Sequence, residues 1–148
     1  MSEHKLKIVF IEGPIPPHFV GDSIAKHSSN TNIGAHSLFL GQVRRDLIDD
    51  KLVKAISYSA YSEMAEEKLY EIRESAFSKY SLTCLHIYHS LGRVETGEIC
   101  LFVFTSSRHR KDAIDACTYI VERIKREVPI WGKEIFEDES YVWKENIQ

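Results

Sequence analysis

The sequence predicts a single α+β domain with a mixed or mostly antiparallel sheet. Strand-like segments outnumber helical ones, and several strands follow one another without a helix between them. Neighbouring parallel strands need a long crossover connection, whereas neighbouring antiparallel strands need only a turn. This order of elements therefore disfavours a doubly wound parallel fold. A chain of 148 residues fits one domain, residues 1–148, and is long enough to bury a core without disulfides or a structural metal.

In the N-terminal half, apolar runs are separated by polar breaks. Residues 5–11 alternate and then become continuously apolar, which predicts a strand ended by the Gly-Pro and Pro-Pro pairs that follow. Residues 18–29 favour a short helix, weakened by a glycine and a Ser-Ser-Asn end. Residues 34–43 and 53–61 have the alternation of strands, and the charged residues 44–52 between them predict a mobile loop.

In the C-terminal half, the apolar spacing first changes to that of a helix. Residues 62–80 carry apolar side chains three and four positions apart, which predicts an amphipathic helix. Strands are expected at 82–91 and 98–105, joined by a Glu-Thr-Gly turn. The second of these is apolar on both faces and predicts a central, covered strand. Residues 134–143 favour a final strand.

Composition and charge exclude several classes of function. A formal net charge of −3 argues against general nucleic-acid binding and against an electrostatic membrane anchor. The N-terminus is polar, and no stretch approaches the roughly 20 apolar residues of a membrane span, so we expect no signal peptide and a cytoplasmic location.

The cysteines and histidines do not predict a metal site or a cofactor site. Cys84, Cys100 and Cys117 contain no CxxC pair, and all three are interpreted as core thiols without a basic neighbour. His86 and His89 lie three apart on a strand, hence on opposite faces, which is poor geometry for chelation. We therefore expect neither a metal nor a cofactor.

A basic turn precedes the last helix, which is expected to begin near Arg108 and to end before Pro129 because the residue ahead of a proline leaves the helical region. The turn is Ser-Ser-Arg-His-Arg-Lys, residues 106–111, in which a serine is a good N-cap. A helix N-terminus carries partial positive charge, so each cation there costs ~0.3–1 kcal/mol unless an anion is bound. The alternative is a solvated turn that Asp112 and Asp115 partly compensate.

Two further cations lie at candidate functional positions. Lys125 is at the edge of the apolar stripe of the last helix, where a half-desolvated lysine can act as an acid, base or nucleophile. The alternative is a lysine whose stem covers the edge of the core. Arg44 follows Gly-Gln-Val at a strand end and, with Arg45, could bind phosphate bidentately, the alternative being a charge run beside a loop. Arg44, Arg110 and Lys125 are thus separate basic positions in an acidic chain.

Five blocks of sequence occur in a characteristic order: GQVR (41–44), HSLGRVETGE (89–98), SSRHRKDA (106–113), ERIKREVPIWGKE (122–134) and Trp143 in the tail. Together they resemble the large, catalytic subunit of molybdopterin synthase. The resemblance extends over nearly the whole chain, and the blocks are specific to that family as an ordered set, although each alone is a weak signal.

The resemblance implies a fold, an assembly and a reaction. The fold would be an α/β-hammerhead with an additional antiparallel β subdomain, expected within residues 40–60 and 130–145. The assembly would be a homodimer with a small ubiquitin-like sulfur-carrier subunit at each end, a heterotetramer. The carrier ends in a Gly-Gly thiocarboxylate, from which two sulfur atoms pass in turn to cyclic pyranopterin monophosphate to give molybdopterin.

The resemblance also implies which residues bind and react. Arg44, His109 and Arg110 match the family's substrate-binding positions, and Lys125 matches its catalytic helix lysine. Cationic groups suit a substrate that carries a phosphate and a carrier tail that carries a thiocarboxylate. Because the carrier supplies the sulfur, the enzyme needs no reactive cysteine of its own.

One departure from the family pattern concerns a second lysine. The family commonly has it directly after the tryptophan of a P-[IF]-W-K motif, whereas here Gly132 follows Trp131 and the lysine comes next, at Lys133. In an extended strand the side chain of Lys133 would point away from the site. A bulge or turn at Gly132 could instead direct it toward the site, because glycine adopts such conformations without steric cost. Either Lys133 takes the catalytic role or the site works with Lys125 alone.

Two other functions remain open from the sequence. The first is a non-catalytic α+β module that binds an anionic metabolite through the turn at 106–111. The second is an assembly subunit that has lost activity, which Gly132 suggests. Loss of Lys125 would abolish chemistry in an enzyme and leave a binding module unaffected.

Overall fold

The computed structural model describes residues 9–144. Within that range, three helices lie against an eight-stranded sheet. The strands are β1 Phe10–Glu12, β2 Ala35–Gln42, β3 Leu47–Ile48, β4 Lys51–Ala60, β5 Cys84–Glu95, β6 Ile99–Ser107, β7 Ile130–Phe136 and β8 Tyr141–Trp143. The helices are α1 His18–His27, α2 Ser62–Lys79 and α3 Arg110–Glu127.

The sheet is mostly antiparallel, as predicted. Its main path runs β2-β6-β5-β4-β7-β8, with every neighbouring pair antiparallel. The short strand β3 pairs with β4, and β1 pairs in parallel with β5. β2 and β8 therefore form the two open edges of the path. The α+β class is confirmed.

The core lies on both sides of β6, which is buried along almost its whole length. Leu101 and Val103 face α2 and α3 and join the largest apolar cluster. Phe102 and Phe104 face the opposite side, where Phe19 of α1 packs against them. Because β6 is covered on both faces, the prediction of a central, apolar strand is confirmed.

Two loop and strand boundaries differ from the sequence expectation. Residues 44–52, predicted as a loop, contain a hairpin of β3 and β4 whose turn residues Asp49 and Asp50 have φ of 50° and 64°. Short polar side chains tolerate this left-handed conformation, so two aspartates can close a tight turn that the charge pattern does not reveal. The last predicted strand, 134–143, is two antiparallel strands, and the first of them already begins at Ile130.

The N-terminal elements agree with the sequence in part. Helix α1 occupies most of the predicted 18–29 segment. The first strand is observed at Phe10–Glu12, and residues 5–8 of the predicted strand lie outside the described residues. No helix in the described part of the chain is both long and apolar enough to cross a membrane.

Candidate active site

Lys125 lies in the last turn of α3. The predicted apolar stripe of this helix is confirmed, because its buried residues are three and four positions apart: Ala113, Ala116, Cys117, Ile120, Val121 and Ile124. Lys125 itself is exposed, so the expectation that it is half-desolvated is wrong. Arg123, expected toward solvent, is only 15% exposed because Glu127 holds it bidentately at 2.8 and 2.7 Å. At this end of the helix, the positive charge of Lys125 interacts favourably with the helix dipole.

His89 is a buried neighbour of Lys125. The pKa of His89 is lowered to about 4, chiefly by burial and also by the charge on Lys125, against a hydrogen bond to the Ser90 carbonyl that raises it. That carbonyl can only accept, so the imidazole Nδ1 donates to it at 2.8 Å and Nε2 keeps its lone pair. From the sequence, His89 was considered only as a possible metal ligand, and its place beside Lys125 becomes visible only in the structure.

Tyr58 packs against His89, with ring centroids 5.2 Å apart. Burial raises the pKa of the Tyr58 phenol above its ordinary value, and neighbouring Cys100 and Glu134 raise it further. The phenol therefore keeps its proton throughout the physiological range. His89 and Tyr58 give this part of the site a neutral polar surface beside the charge of Lys125.

Gly132 and Lys133 face opposite sides of β7. A β-carbon placed on Gly132 would lie 3.1 Å from Ile56 Cγ2 and 3.5 Å from a Tyr58 ring carbon, so Gly132 faces the Tyr58 side. The register of β7 against β4 is regular from Ile130 to Ile135, without the bulge that could turn Lys133. Within one chain, Lys125 and Lys133 therefore do not lie on the same side of the sheet. A catalytic role for Lys133 stays a prediction.

The side chain of Lys133 contacts aromatic rings of β8. Its Nζ lies 4.5 Å from the centroid of Tyr141 and 5.9 Å from that of Trp143. The side chain of Lys144 instead leaves the backbone on the Gly132 side of the sheet. The N–H of Lys144 donates to the Gly132 carbonyl at 2.8 Å, and its Cβ is 3.7 Å from a β-carbon placed on Gly132. Lys144 lies outside the sequence blocks, and only strand pairing reveals it.

Arg44 lies just after β2, at the same end of the sheet as His89. Gly41 and His89 both pair with Leu101, one on each side of β6, so Arg44 is a few residues beyond that row. Its side chain is 74% exposed and contacts Asp46 at 3.3 Å. Arg45 is held by Glu137 at 2.9 Å, so the two arginines contact different carboxylates in this structure. Joint phosphate binding by the pair stays a prediction.

His109 and Arg110 lie at the start of α3. Both are exposed, and neither side chain forms a hydrogen bond or ion pair with another described residue. Lys111 differs, since it pairs with Asp115 at 2.8 Å. Arg110 therefore has no side-chain partner at the positive end of the helix dipole, where Asp112 is the acidic residue of the first turn. An anion site at this turn stays a prediction.

The predicted serine N-cap is wrong. Ser106 and Ser107 complete β6, and the N-cap position is taken by His109 without a side-chain cap bond. Pairing with β2 continues to Ser107, whose hydroxyl donates to the His109 carbonyl. The helix therefore starts at Arg110, two residues later than expected, because sheet pairing competes successfully for the serines.

The candidate residues form two groups at opposite ends of α3. Arg110 and Lys125 are fifteen residues apart on one helix, which separates them by about 22 Å. The Lys125 end contains Arg44, Tyr58, His89, Lys125, Gly132 and Lys144. The Arg110 end contains His109 and Arg110. A single small substrate cannot touch both ends of one chain.

One expectation about the cysteines is wrong. Cys100 and Cys117 are buried thiols, as predicted. Cys84, however, lies against two imidazoles, with its Sγ 2.8 Å from His27 Nε2 and 3.0 Å from His86 Nε2. His27 belongs to α1 and is far from Cys84 in the sequence, so no local motif predicts this contact.

Comparisons with known proteins agree on one family. Residues 17–127 match the family model described as MoaE protein. A molybdopterin synthase catalytic subunit of Oryza sativa subsp. indica is 40% identical over 120 residues, which are 81% of this chain and 61% of that protein. The chain thus spans about three fifths of the length of this curated relative.

Solved structures give the same result. A Staphylococcus aureus structure described as molybdopterin synthase matches with a TM-score of 0.81 and 34% identity, covering 97% of this chain and 99% of that one. A chain in a Helicobacter pylori complex of subunits 1 and 2 of molybdopterin-converting factor matches with a TM-score of 0.78 at 20% identity, covering 92% and 88%, and supports the fold alone. The chain belongs to the MoaE protein family.

Proposed function

We propose that this chain is the catalytic subunit of a molybdopterin synthase. It takes sulfur from the C-terminal thiocarboxylate of a small ubiquitin-like carrier ending in Gly-Gly and transfers it to cyclic pyranopterin monophosphate. The observation that carries the proposal is the pair of cationic ends of α3, which match the family positions in a protein of that family. The substrate phosphate and the thiocarboxylate are both anions that such groups bind.

The proposal includes the finer fold and the setting. The fold is the α/β-hammerhead, with β3, β4, β7 and β8 as the additional antiparallel subdomain. The partner is the carrier, in keeping with the two-subunit complex described for the Helicobacter pylori protein. The enzyme acts in the cytoplasm and uses no metal or other cofactor for the transfer.

The Lys125 end is suited to the chemistry. The ammonium of Lys125 binds the thiocarboxylate anion and can hold or release a proton at Nζ. His89 stays neutral beside it because its pKa is lowered to about 4, so it offers the lone pair of Nε2 without adding a repelling charge. Arg44 lies at the same end of the sheet, where its exposed guanidinium can bind the substrate phosphate.

The Arg110 end is suited to binding and comes from a second copy. Since Arg110 and Lys125 of one chain are about 22 Å apart, one site needs two chains if it is to use both. A two-fold axis beside the middle of α3, near Thr118, places α3 antiparallel to its copy. The Arg110 end of one protomer then meets the Lys125 end of its partner.

The surface around that axis is largely apolar, and among residues 9–144 no strand pairs with the outer side of β2. A cleft there is lined by β2 and by Ile114, Thr118 and Val121 of α3. Leu38, which lines this cleft on the open edge strand β2, is 37% exposed, and Ile114 is 51% exposed. An exposed apolar edge strand is a site for pairing with another chain. These features support the homodimer and, with two carriers, the heterotetramer.

Mixing two impaired variants tests the shared site. Arg110→Ala and Lys125→Ala each damage a different half, so a mixed dimer has one intact site and one doubly damaged site. At a substrate concentration well below the Kd of Arg110→Ala, each variant alone has little activity, and random pairing after subunit exchange restores roughly a quarter of the wild-type activity. Activity of the mixture no higher than that of the separate variants, with exchange verified by native mass spectrometry, would contradict the two-chain site.

A single-turnover assay tests the function itself. Purified chain, carrier thiocarboxylate and pyranopterin substrate should give the dithiolene product, with one carrier consumed for each sulfur transferred. Substrate binding without product, while an active family member gives product under the same conditions, would favour the non-catalytic anion-binding module. Carrier binding without product or substrate binding would favour an inactive assembly subunit.

A further inference from the structure

Three metal-ligating side chains converge on the α1 side of the sheet. His27 is the last residue of α1, Cys84 is the first residue of β5, and His86 follows two residues later on the same face. The Cys84 sulfur is 2.8 Å from His27 Nε2 and 3.0 Å from His86 Nε2. All three ligand atoms lie within 4.8 Å of one another, and each residue is partly exposed, so an ion has access from solvent.

The Ser23 carbonyl orients the His27 ring so that its unprotonated nitrogen points toward the Cys84 sulfur. Nδ1 lies 2.6 Å from the Ser23 carbonyl, which can only accept, so Nδ1 carries the proton and Nε2 keeps its lone pair. A ligating histidine usually has such a partner on its other nitrogen, which fixes the tautomer and the ring orientation.

His86 is held by its neighbours in the sheet. Its ring stacks on Tyr88 at an interplanar angle of 15° and lies 6.1 Å from the ring of Phe104. The His27 ring packs 5.2 Å from the same phenylalanine. Aromatic packing therefore fixes both imidazoles before any ion binds, which reduces the ordering required on binding.

We propose that His27, Cys84 and His86 bind a zinc-class cation. Two imidazoles and one thiolate form a donor set suited to Zn²⁺, and water completes the fourth position. In a tetrahedral site, sulfur and nitrogen ligands lie about 3.6 Å apart, so small side-chain rotations are enough to admit the ion. The Cys84 thiol releases its proton to solvent as the metal–sulfur bond forms.

The ion would attach α1 to the sheet. None of the side chains of α1 is fully buried, so the helix is anchored weakly by its own packing. His27 lies at its C-terminal end, and a metal bridge from there to β5 joins two elements distant in sequence. A ligand that binds only the folded arrangement stabilises it by mass action.

The proposed ion site is separate from the proposed sulfur-transfer site. Cys84 and His89 are five residues apart along β5, about 17 Å, and His86 and His89 face opposite sides of the sheet. Loss of zinc binding would therefore leave the proposed function standing, and loss of sulfur transfer would not argue against the ion.

Zinc affinity of the tag-free, chelator-treated protein tests the proposal. Competition with a chromophoric zinc chelator should show one ion bound per chain. We expect Cys84→Ser and His27→Ala each to weaken the affinity by roughly 100-fold or more, since loss of a residue that only orients a ligand already costs about 10–100-fold. The matched control is His18→Ala, which removes an exposed histidine from the same helix and should leave the affinity unchanged. Circular dichroism establishes that each variant is folded.

Two further readouts separate the proposed site from scattered surface binding. Co²⁺ in place of Zn²⁺ should give a thiolate-to-metal absorption band that Cys84→Ser lacks. Amide hydrogen exchange in α1 should slow when Zn²⁺ is added to the parent protein and not when it is added to Cys84→Ser. Equal zinc affinity in the parent protein and Cys84→Ser, or no zinc binding by the parent protein, would overturn the proposal.

Discussion

The two ends of α3 carry cations in opposite electrostatic settings. At the Arg110 end, His109 and Arg110 are exposed at the positive end of the helix dipole, without a partner among the described residues. At the Lys125 end, the cation lies at the negative end of the dipole, beside a buried neutral histidine. The first arrangement destabilises the empty helix and favours binding of an anion, whereas the second is favourable even without a ligand. Equal charges thus predict different consequences of mutation.

The largest expected effect is at Lys125. Lys125→Ala should lower the single-turnover rate of sulfur transfer by roughly 10²–10⁴-fold, the range for loss of general acid–base help. The variant should still fold and bind the carrier, and its thermal stability should change little because the side chain is exposed. The matched control is Arg126→Ala, an exposed cation one residue further along the same turn. A near-parental rate in Lys125→Ala would remove this lysine from the mechanism.

At the other end, Arg110→Ala should separate binding from stability. We expect substrate affinity to fall about 10–150-fold, equivalent to the ~1.5–3 kcal/mol of a charged hydrogen bond. The free energy of unfolding should rise by ~0.3–1 kcal/mol, because a misplaced positive charge leaves the helix N-terminus. Calorimetric titration and denaturant unfolding measure the two quantities. Arg44→Ala should weaken substrate binding without this gain in stability, and unchanged affinity in both variants would place the anion site elsewhere.

His89 makes the Lys125 end sensitive to acid. Its pKa is about 4 in the folded protein and near 6.5 when unfolded, so between these values the unfolded chain binds more protons. The free energy of unfolding should therefore fall as the pH falls from 7 to 5, by about 2 kcal/mol from this group. Above pH 7 the contribution is constant.

The matched variant for that experiment is His89→Asn, which keeps a polar side chain and cannot titrate. Denaturant unfolding at several pH values should show a shallower loss of stability for the variant than for the parent protein. Identical pH profiles in the two proteins would contradict the neutral, buried state of His89.

The smallest effects distinguish Lys133 from Lys144. Lys133→Ala removes contacts with Tyr141 and Trp143 and should lower stability by ~0.5–1 kcal/mol with little change in rate. Lys144→Ala should instead slow sulfur transfer modestly, since Lys144 starts on the Gly132 side of the sheet. Single-turnover rates and denaturant unfolding measure both. A strong loss of rate in Lys133→Ala alone would show that Lys133 holds the catalytic role.

Gly132→Lys completes this comparison. A β-carbon at this position meets Ile56 at 3.1 Å, so the substitution fits only if that side chain moves by a few tenths of an ångström. We expect a small loss of stability and, if a second lysine is useful on this face, a faster transfer. A rate that is unchanged in this variant and in both lysine variants would indicate that this segment is structural.

Local sequence pattern was sufficient to predict the elements that have a clear apolar spacing or a continuous apolar run. The apolar spacing of α2 and α3 and the continuous run of β6 predicted helices and a covered strand that the structure contains. The predicted boundaries of elements were wrong where another segment of the chain pairs with the same residues. The serines before α3 pair with β2 instead of capping the helix, and Asp49-Asp50 closes a hairpin inside a predicted loop.

The candidate site shows the same division. The basic turn and the helix lysine are local signals and were found from residue type and spacing. His89, Tyr58 and Lys144 were missed because their significance depends on burial and on strand register, which join residues far apart in sequence. The contact of Cys84 with His27 was missed for the same reason.

The sequence by itself determined the fold class, the family and the cationic positions, because these depend on composition, periodicity and ordered motifs. Tertiary structure alone decided which of those positions meet. It separated Arg110 from Lys125 along one helix, turned Lys133 away from Gly132 through strand alternation, and brought His27 of α1 to Cys84 of β5. The physical reason is that side-chain proximity follows from helix rise, sheet register and layer packing, which a linear pattern does not fix.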